Sequence, residues 1–326
     1  MKVFVSHDTA LEYWRYHFSP DMEIGDPVKT SPGEKFAYTK EDVLGCYPEY
    51  YFDSDKPVHV LVFDERMRRP SQRVVCHTWS TGLPSGAFYG HGSLCVSSPE
   101  FLFLQMASEL TVAQLVALGC ELCGTYILLP KETILPSSFD DYPTRVAPLT
   151  NISRIEAFLD DVGQAHGLKK ARRALKHVVE GSRSPMETIV YLQLCLPPML
   201  GGYGLPKAEL NPEIKLDEEA RRVSGMRTSW GDVCWPAQRL DVEYNGDVHV
   251  GVAKMRHDAG RALGIEHMGW RVMPITCLQV FDIDKFEVVA KEVAAHLGRR
   301  LKPYVLGRTP ARDALHGELN AWMSRA

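Results

Sequence analysis

Leu240-Asp241-Val242-Glu243-Tyr244-Asn245-Gly246-Asp247-Val248-His249 is the stretch on which the reading of this chain turns. Leu240, Val242 and Tyr244 alternate with Asp241, Glu243 and Asn245, so a strand here carries the polar three on one face. Asn245-Gly246 then ends the strand, where a residue with positive φ is easily tolerated. Just upstream, Trp230-Gly231-Asp232-Val233-Cys234-Trp235 reads as a second strand. The short Pro236-Ala237 connection makes the two a hairpin, with Asp232 and Glu243 on neighbouring strands. Magnesium takes hard oxygen ligands and keeps several waters, so two carboxylates and a backbone carbonyl suffice to hold it. An ion held there polarises a phosphoryl oxygen and activates a water for attack on phosphorus.

Working outward, residues 184–301 give the order helix (185–196), strand (208–215), strand (229–235), strand (239–244), helix (252–268), strand (270–275) and helix (285–301). Gly269 caps the second helix in the left-handed region. Ser184-Pro185-Met186-Glu187 opens the first helix as a capping box, so Glu187 has two compatible roles, satisfying a backbone amide or joining the acidic group. His249 follows four residues after Asn245 and is read either as a proton-transfer residue or as a surface-loop histidine. Asp258 and Arg261 are three apart on one helix face, as an ion pair or with Arg261 aimed at a phosphate.

The net charge is −4, so no global positive field advertises a nucleic-acid partner. Local charge differs. Lys169, Lys170, Arg172, Arg173 and Lys176 sit among apolar residues at helical spacing, and this basic amphipathic helix either tracks a phosphate backbone or is a solvated surface helix with Leu175 and Val179 inward. The chain has 326 residues, 45% hydrophobic and 24% charged, enough for about two domains. No run of eighteen apolar residues occurs, and the first residues lack the apolar core of a signal peptide, so a cytoplasmic protein without membrane partners is expected. Eight cysteines are scattered in apolar surroundings and read as reduced core residues. Cys120 and Cys123 form a lone Cys-x-x-Cys without the second pair that structural zinc needs.

The first half reads as mixed α/β. A helix capped by Ser6 or Asp8 runs through residues 11–15, strands cover 57–63 and 73–79, and helices cover 98–107 and 111–122. Pro130, Pro136 and Pro143 break regular structure before helices at 152–165 and 168–179. The expected division is residues 1–150 (mixed α/β), 151–183 (helical linker with the basic helix), 184–305 (the carboxylate-bearing domain) and 306–326 (tail), an α+β chain overall.

At these residues the chain resembles the very-short-patch-repair-like branch of the PD-(D/E)XK restriction-endonuclease-like superfamily. The likeness covers about 184–284 and rests on Ser184-Pro185-Met186-Glu187, Asp232-Val233-Cys234-Trp235-Pro236, Val242-Glu243-Tyr244-Asn245-Gly246-Asp247-Val248-His249, Asp258-Ala259-Gly260-Arg261 and Gly269-Trp270-Arg271-Val272. It implies a restriction-endonuclease-like domain with an αβββαβ core. It also implies a DNA endonuclease or nickase dependent on Mg2+ or Mn2+. In that reading Asp232 and Glu243 are metal ligands, Glu187 a third acid, His249 the proton-transfer residue, Asp258 a supporting group, and Arg261 with the basic helix the backbone contacts. Asn245 stands where the superfamily has lysine and this branch has aspartate, and it neither acts as a base nor carries charge. The alternative is therefore a catalytically degenerate nucleic-acid-binding or antitoxin-like protein. Residues 96–119 are similar to actinobacterial abortive-infection type IV antitoxin-like proteins, which implies a toxin or other protein partner.

Overall fold

The computed structural model describes residues 2–16, 26–28, 39, 41–42, 45, 56–128, 142–246 and 252–324, without the side chains of 26, 91, 252–259 and 324. The chain is mixed α/β, with eleven α-helices among the described residues. It divides into two compact units, residues 1–118 with 149–176 and residues 119–148 with 177–326. None of the helices among the described residues is long and apolar enough to cross a membrane.

In the first unit, β1 (Val3–Val5), β2 (Asp26–Pro27), β3 (Val58–Val62), β4 (Val74–Thr78), β5 (Phe88–His91) and β6 (Leu94–Ser97) form one sheet in the order β2-β5-β6-β1-β3-β4. β1 runs parallel to β6 and antiparallel to β3, and β3 runs parallel to β4. All the residues of β1 and β6 are buried, as expected of strands covered on both faces. Edge-to-face packing of Phe4 on Phe63 and Phe88, and of Phe101 on Phe88, fills the core. Among the described residues, the helices α1 (His7–Tyr16), α2 (Pro99–Met106), α4 (Ile152–Asp161) and α5 (Leu168–Leu175) belong wholly to this unit. The dividing point of the chain falls inside α3 (Val112–Leu122).

In the second unit α6 (Pro185–Cys195) is buried from Pro185 to Leu194, a mostly apolar helix covered on every side. The expected strand at 208–215 is two strands, β7 (Glu209–Leu210) and β8 (Glu213–Lys215), separated at Asn211-Pro212. Asn211 takes φ +48, a left-handed conformation that asparagine tolerates and a regular strand does not contain. Likewise the expected strand at 229–235 divides at Gly231-Asp232 into β9 (Thr228–Trp230) and β10 (Val233–Trp235). β8 pairs with β9, while β7 and β10 join β11 (Leu240–Tyr244) and β12 (Arg271–Ile275) in the order β12-β11-β10-β7. The hairpin β10–β11 forms as read, closed by a 3-10 turn over Pro236–Gln238.

α7 (Glu218–Ser224), absent from the sequence reading, is capped by the Asp217 carboxylate on the Ala220 amide. α8 (Val252–His267) packs on it through Gly264, where a β-carbon would come within 3.1 Å of the Ala220 carbonyl. Ile214, Leu216, Ala220 and Ile265 form the apolar cluster behind this contact. Gly269, at φ +77, ends the turn after α8 as expected. α9 (Cys277–Val280) and α10 (Ile283–His296) follow. Residues 306–326 contain α11 (Pro310–Ser324), which buries Leu315, Leu319 and Trp322, so the expected tail is part of the folded unit.

Candidate acidic site

The break at Gly231-Asp232 places the chemistry. Asp232 sits where the chain leaves one sheet and enters another, and Gly231 is required there because a β-carbon would lie 2.4 Å from Cys234 Sγ and 2.7 Å from Asp241 Oδ2. The Asp232 amide donates to Asp241 Oδ1 (3.0 Å), and Asp232 Oδ2 accepts from the Tyr244 amide (2.8 Å). Val233 pairs with Val242, so the register carried one step sets Asp232 opposite Glu243. The two residues are therefore neighbours across the hairpin, as the short Pro236-Ala237 connection leads one to expect.

Asp241 lies on the same strand face as Glu243 and is fully buried. Its Oδ1 also accepts from the Cys234 thiol (3.3 Å), while Oδ2 is buried without a hydrogen-bond partner. Arg261 from α8 braces this face. Its Nη1 donates to Glu243 Oε1 (2.7 Å), its Nε to Ser229 Oγ (2.9 Å), its Nη2 to the Trp230 carbonyl, and Nη2 stands 3.8 Å from Asp241 Oδ2. Each guanidinium nitrogen is thus engaged within the protein. The Asp258 side chain lies outside the described residues, as does all of His249.

Glu187 comes in from α6. Ser184 caps the helix by accepting from the Glu187 amide (3.1 Å), as the capping motif predicts, but Glu187 Oε2 reaches past the cap to the Arg183 amide (2.8 Å) and to the Asn211 side chain. Asn211, at the break between β7 and β8, also donates to the Gly181 carbonyl (3.0 Å) and so ties the loop before α6 to the sheet. Arg183 lays its guanidinium 4.4 Å from the centre of the exposed Trp230 ring, a cation–π contact.

Four carboxylates so placed act on one another. Burial raises the proton affinity of Asp232 well above the usual carboxylate range, and repulsion from Glu187, Asp241 and Glu243 raises it further, against the Tyr244 amide. Asp241 is pushed up to about 6, first by burial and then by Glu243, while the Cys234 thiol, the Asp232 amide and Arg261 oppose. Glu187 is raised by burial against its bonds from Arg183 and Asn211. The Arg261 guanidinium pairs with Glu243 and approaches Asp241 only, so the four carboxyl groups carry an excess of negative charge when all are ionised. Asp232 and Glu243, with Glu187 alongside, are the hard oxygen donors that could hold a divalent cation here, although among the described residues the carboxylate oxygens are not gathered as closely as the ligand atoms of a metal site. Asp241, Asn211, Cys234 and Arg183 were not among the expected site residues. The alternation had already put Asp241 on the face of Glu243, whereas Asn211 comes in from a break that the strand pattern concealed.

The remaining expected site residues are at the end of β11 and in the first unit. Asn245 is exposed just past β11, its amide donating to the Ile275 carbonyl (2.7 Å). The basic helix is α5 of the first unit, with Ala171, Ala174 and Leu175 buried and Lys169, Arg173 and Lys176 exposed. Lys170 donates to the Leu110 carbonyl (3.0 Å), and Arg172 to the Leu159 carbonyl and the Asp160 carboxylate. No protein-family model, curated protein or solved structure matches the chain.

Proposed function

We propose that the second unit is a restriction-endonuclease-like domain that hydrolyses phosphodiester bonds in DNA with Mg2+ or Mn2+, as an endonuclease or nickase. The observation that carries this reading is the convergence of Asp232, Asp241 and Glu243 across one hairpin with Glu187 from a helix, at a break where two sheets part. Folding stability does not call for such a gathering, since each buried carboxylate costs free energy. The order α6, β7, the β10–β11 hairpin, α8 and a parallel β12 supports the same domain reading. A bound divalent ion would supply charge neutralisation at the scissile phosphate and an acidified water. Asp232 and Glu243 would hold it, and Arg261 keeps Glu243 in place. Glu187, with its raised proton affinity, is the group available to take or give a proton in the absence of a lysine after Glu243. His249 is a second candidate for that transfer, and a toxin or other protein partner remains part of the proposal through the first unit.

The second reading, a binding protein that has lost the chemistry, is favoured by Asn245 and by the engagement of Glu243 with Arg261. The test is cleavage of supercoiled plasmid and mismatched duplex with Mg2+ or Mn2+, comparing the full chain with Asp232→Asn and Glu243→Gln, which keep their hydrogen-bond acceptors. Metal-dependent nicking lost by on the order of 100-fold or more in both variants supports the enzyme. DNA binding without cleavage supports the second reading.

A further inference from the structure

The sheet of the first unit gathers three histidines that the sequence scatters. In the parallel pair β3–β4, His59 registers with Val75 and Leu61 with His77, so both histidines stand on one face of the sheet. β1 flanks β3, and two residues beyond its end His7 begins α1 with φ +48, a left-handed conformation uncommon for a residue with a side chain. His77 Nε2 lies 3.0 Å from His59 Nδ1. The His7 ring stacks on His77 with centroids 3.5 Å apart and planes 14° apart. Among the described residues, one candidate ligand atom from each of the three lies within 4.8 Å of the others.

We infer that His7, His59 and His77 form a binding site for a divalent transition-metal ion of the zinc class, held by three imidazole nitrogens with a coordination position left to water. Zinc–nitrogen bonds of about 2.0–2.1 Å in tetrahedral geometry put ligand nitrogens about 3.3 Å apart, close to the His59–His77 separation. Imidazole suits zinc, nickel and copper, whereas magnesium and manganese prefer the carboxylates of the other unit. The surroundings orient the ligands. Ser6 Oγ is 3.0 Å from His7 Nδ1, the Thr9 hydroxyl accepts from the His59 amide (2.8 Å), and the Gln105 carbonyl oxygen faces the His7 amide (3.4 Å). Hydrogen bonds to the outer nitrogen of a ligating imidazole fix its tautomer. His7 is buried while His59 and His77 are half-buried, so an ion enters from their side.

Loading asks for two small changes. The proton now shared between His77 Nε2 and His59 Nδ1 moves to the outer nitrogen of the ring that carries it, leaving two inner lone pairs and no net change in protons. The stacked rings of His7 and His77 turn apart about their soft terminal torsions so that their lone pairs converge.

The test uses the full, untagged chain. Zinc titrated calorimetrically should bind with one-to-one stoichiometry at this site, and cobalt substituted for it should give visible d–d absorption without a thiolate charge-transfer band, which separates the histidines from the cysteines. His59→Gln, His77→Gln and His7→Asn, the last chosen because asparagine tolerates positive φ, should each weaken binding by at least about 10–100-fold, the range that loss of an outer partner alone costs. Should a variant fail to fold, imidazole nitrogen resonances of the wild type decide, since zinc must shift three histidines and change the tautomer of one of the His59–His77 pair. No zinc binding, binding undiminished in folded variants, or unshifted imidazoles would overturn the site.

Discussion

Asp241 shows how much one carboxyl group governs here. Its folded pKa of about 6 lies above the ordinary 3.8, so the stability it contributes is fully present below about pH 4 and is lost as pH rises through about 6. A shift of about two units corresponds to about 3 kcal/mol. The unfolding free energy of the wild type, measured against Asp241→Asn by denaturant titration, should fall by about that amount between about pH 4 and pH 8. A flat difference would show that Arg261 neutralises the group completely. Asp241 was legible as a strand-face residue, but its burial was not, because alternation tells which residues share a face and says nothing of which face is covered. The three histidines were illegible for another reason: they lie on three separate elements, and only the pairing of β1, β3 and β4 brings them together.

The elements that carry the acidic site are held by α8. Gly264 lets this helix approach α7 closely, and Arg261, three residues earlier, crosses to Ser229, Trp230 and Glu243. Arg261→Met should therefore destabilise the unit by about 1.5–3 kcal/mol, as expected when hydrogen bonds to a half-buried charged group are lost. The loss should be smaller at about pH 5, where Asp241 is mostly protonated and no longer needs a counter-charge. Chemical unfolding at the two pH values checks both the size and the sign. Here the sequence was a good guide to the β10–β11 hairpin, where a proline connection and strict alternation agree. It failed at 208–215 and 229–235, where single residues, Asn211 and Gly231, turn an extended run from one sheet into the next. α7 was signalled by Asp217 followed by Glu218 and Glu219, an N-cap with acids in the first turn, but its seven residues carry too little periodicity to stand out.

For the whole molecule, the two proposed sites differ in donor chemistry, hard oxygen in one unit and imidazole in the other. Mn2+ at about 100 times its dissociation constant should stabilise the second unit by about 2.7 kcal/mol at neutral pH. That is a rise of about 5 °C or more in its thermal midpoint for a unit of this size. Calorimetry should find the rise absent in Asp232→Asn and present in His77→Gln; the reverse pattern would assign the hard cation to the wrong unit. The exposed Trp230 adds a convenience of its own. Its indole lies under Arg183, its carbonyl is gripped by Arg261, and it stands two residues from Asp232. One of the six tryptophans of the chain thus stands at the rim of the acidic site, so a cation taken up there should change that part of the emission which Trp230→Phe removes.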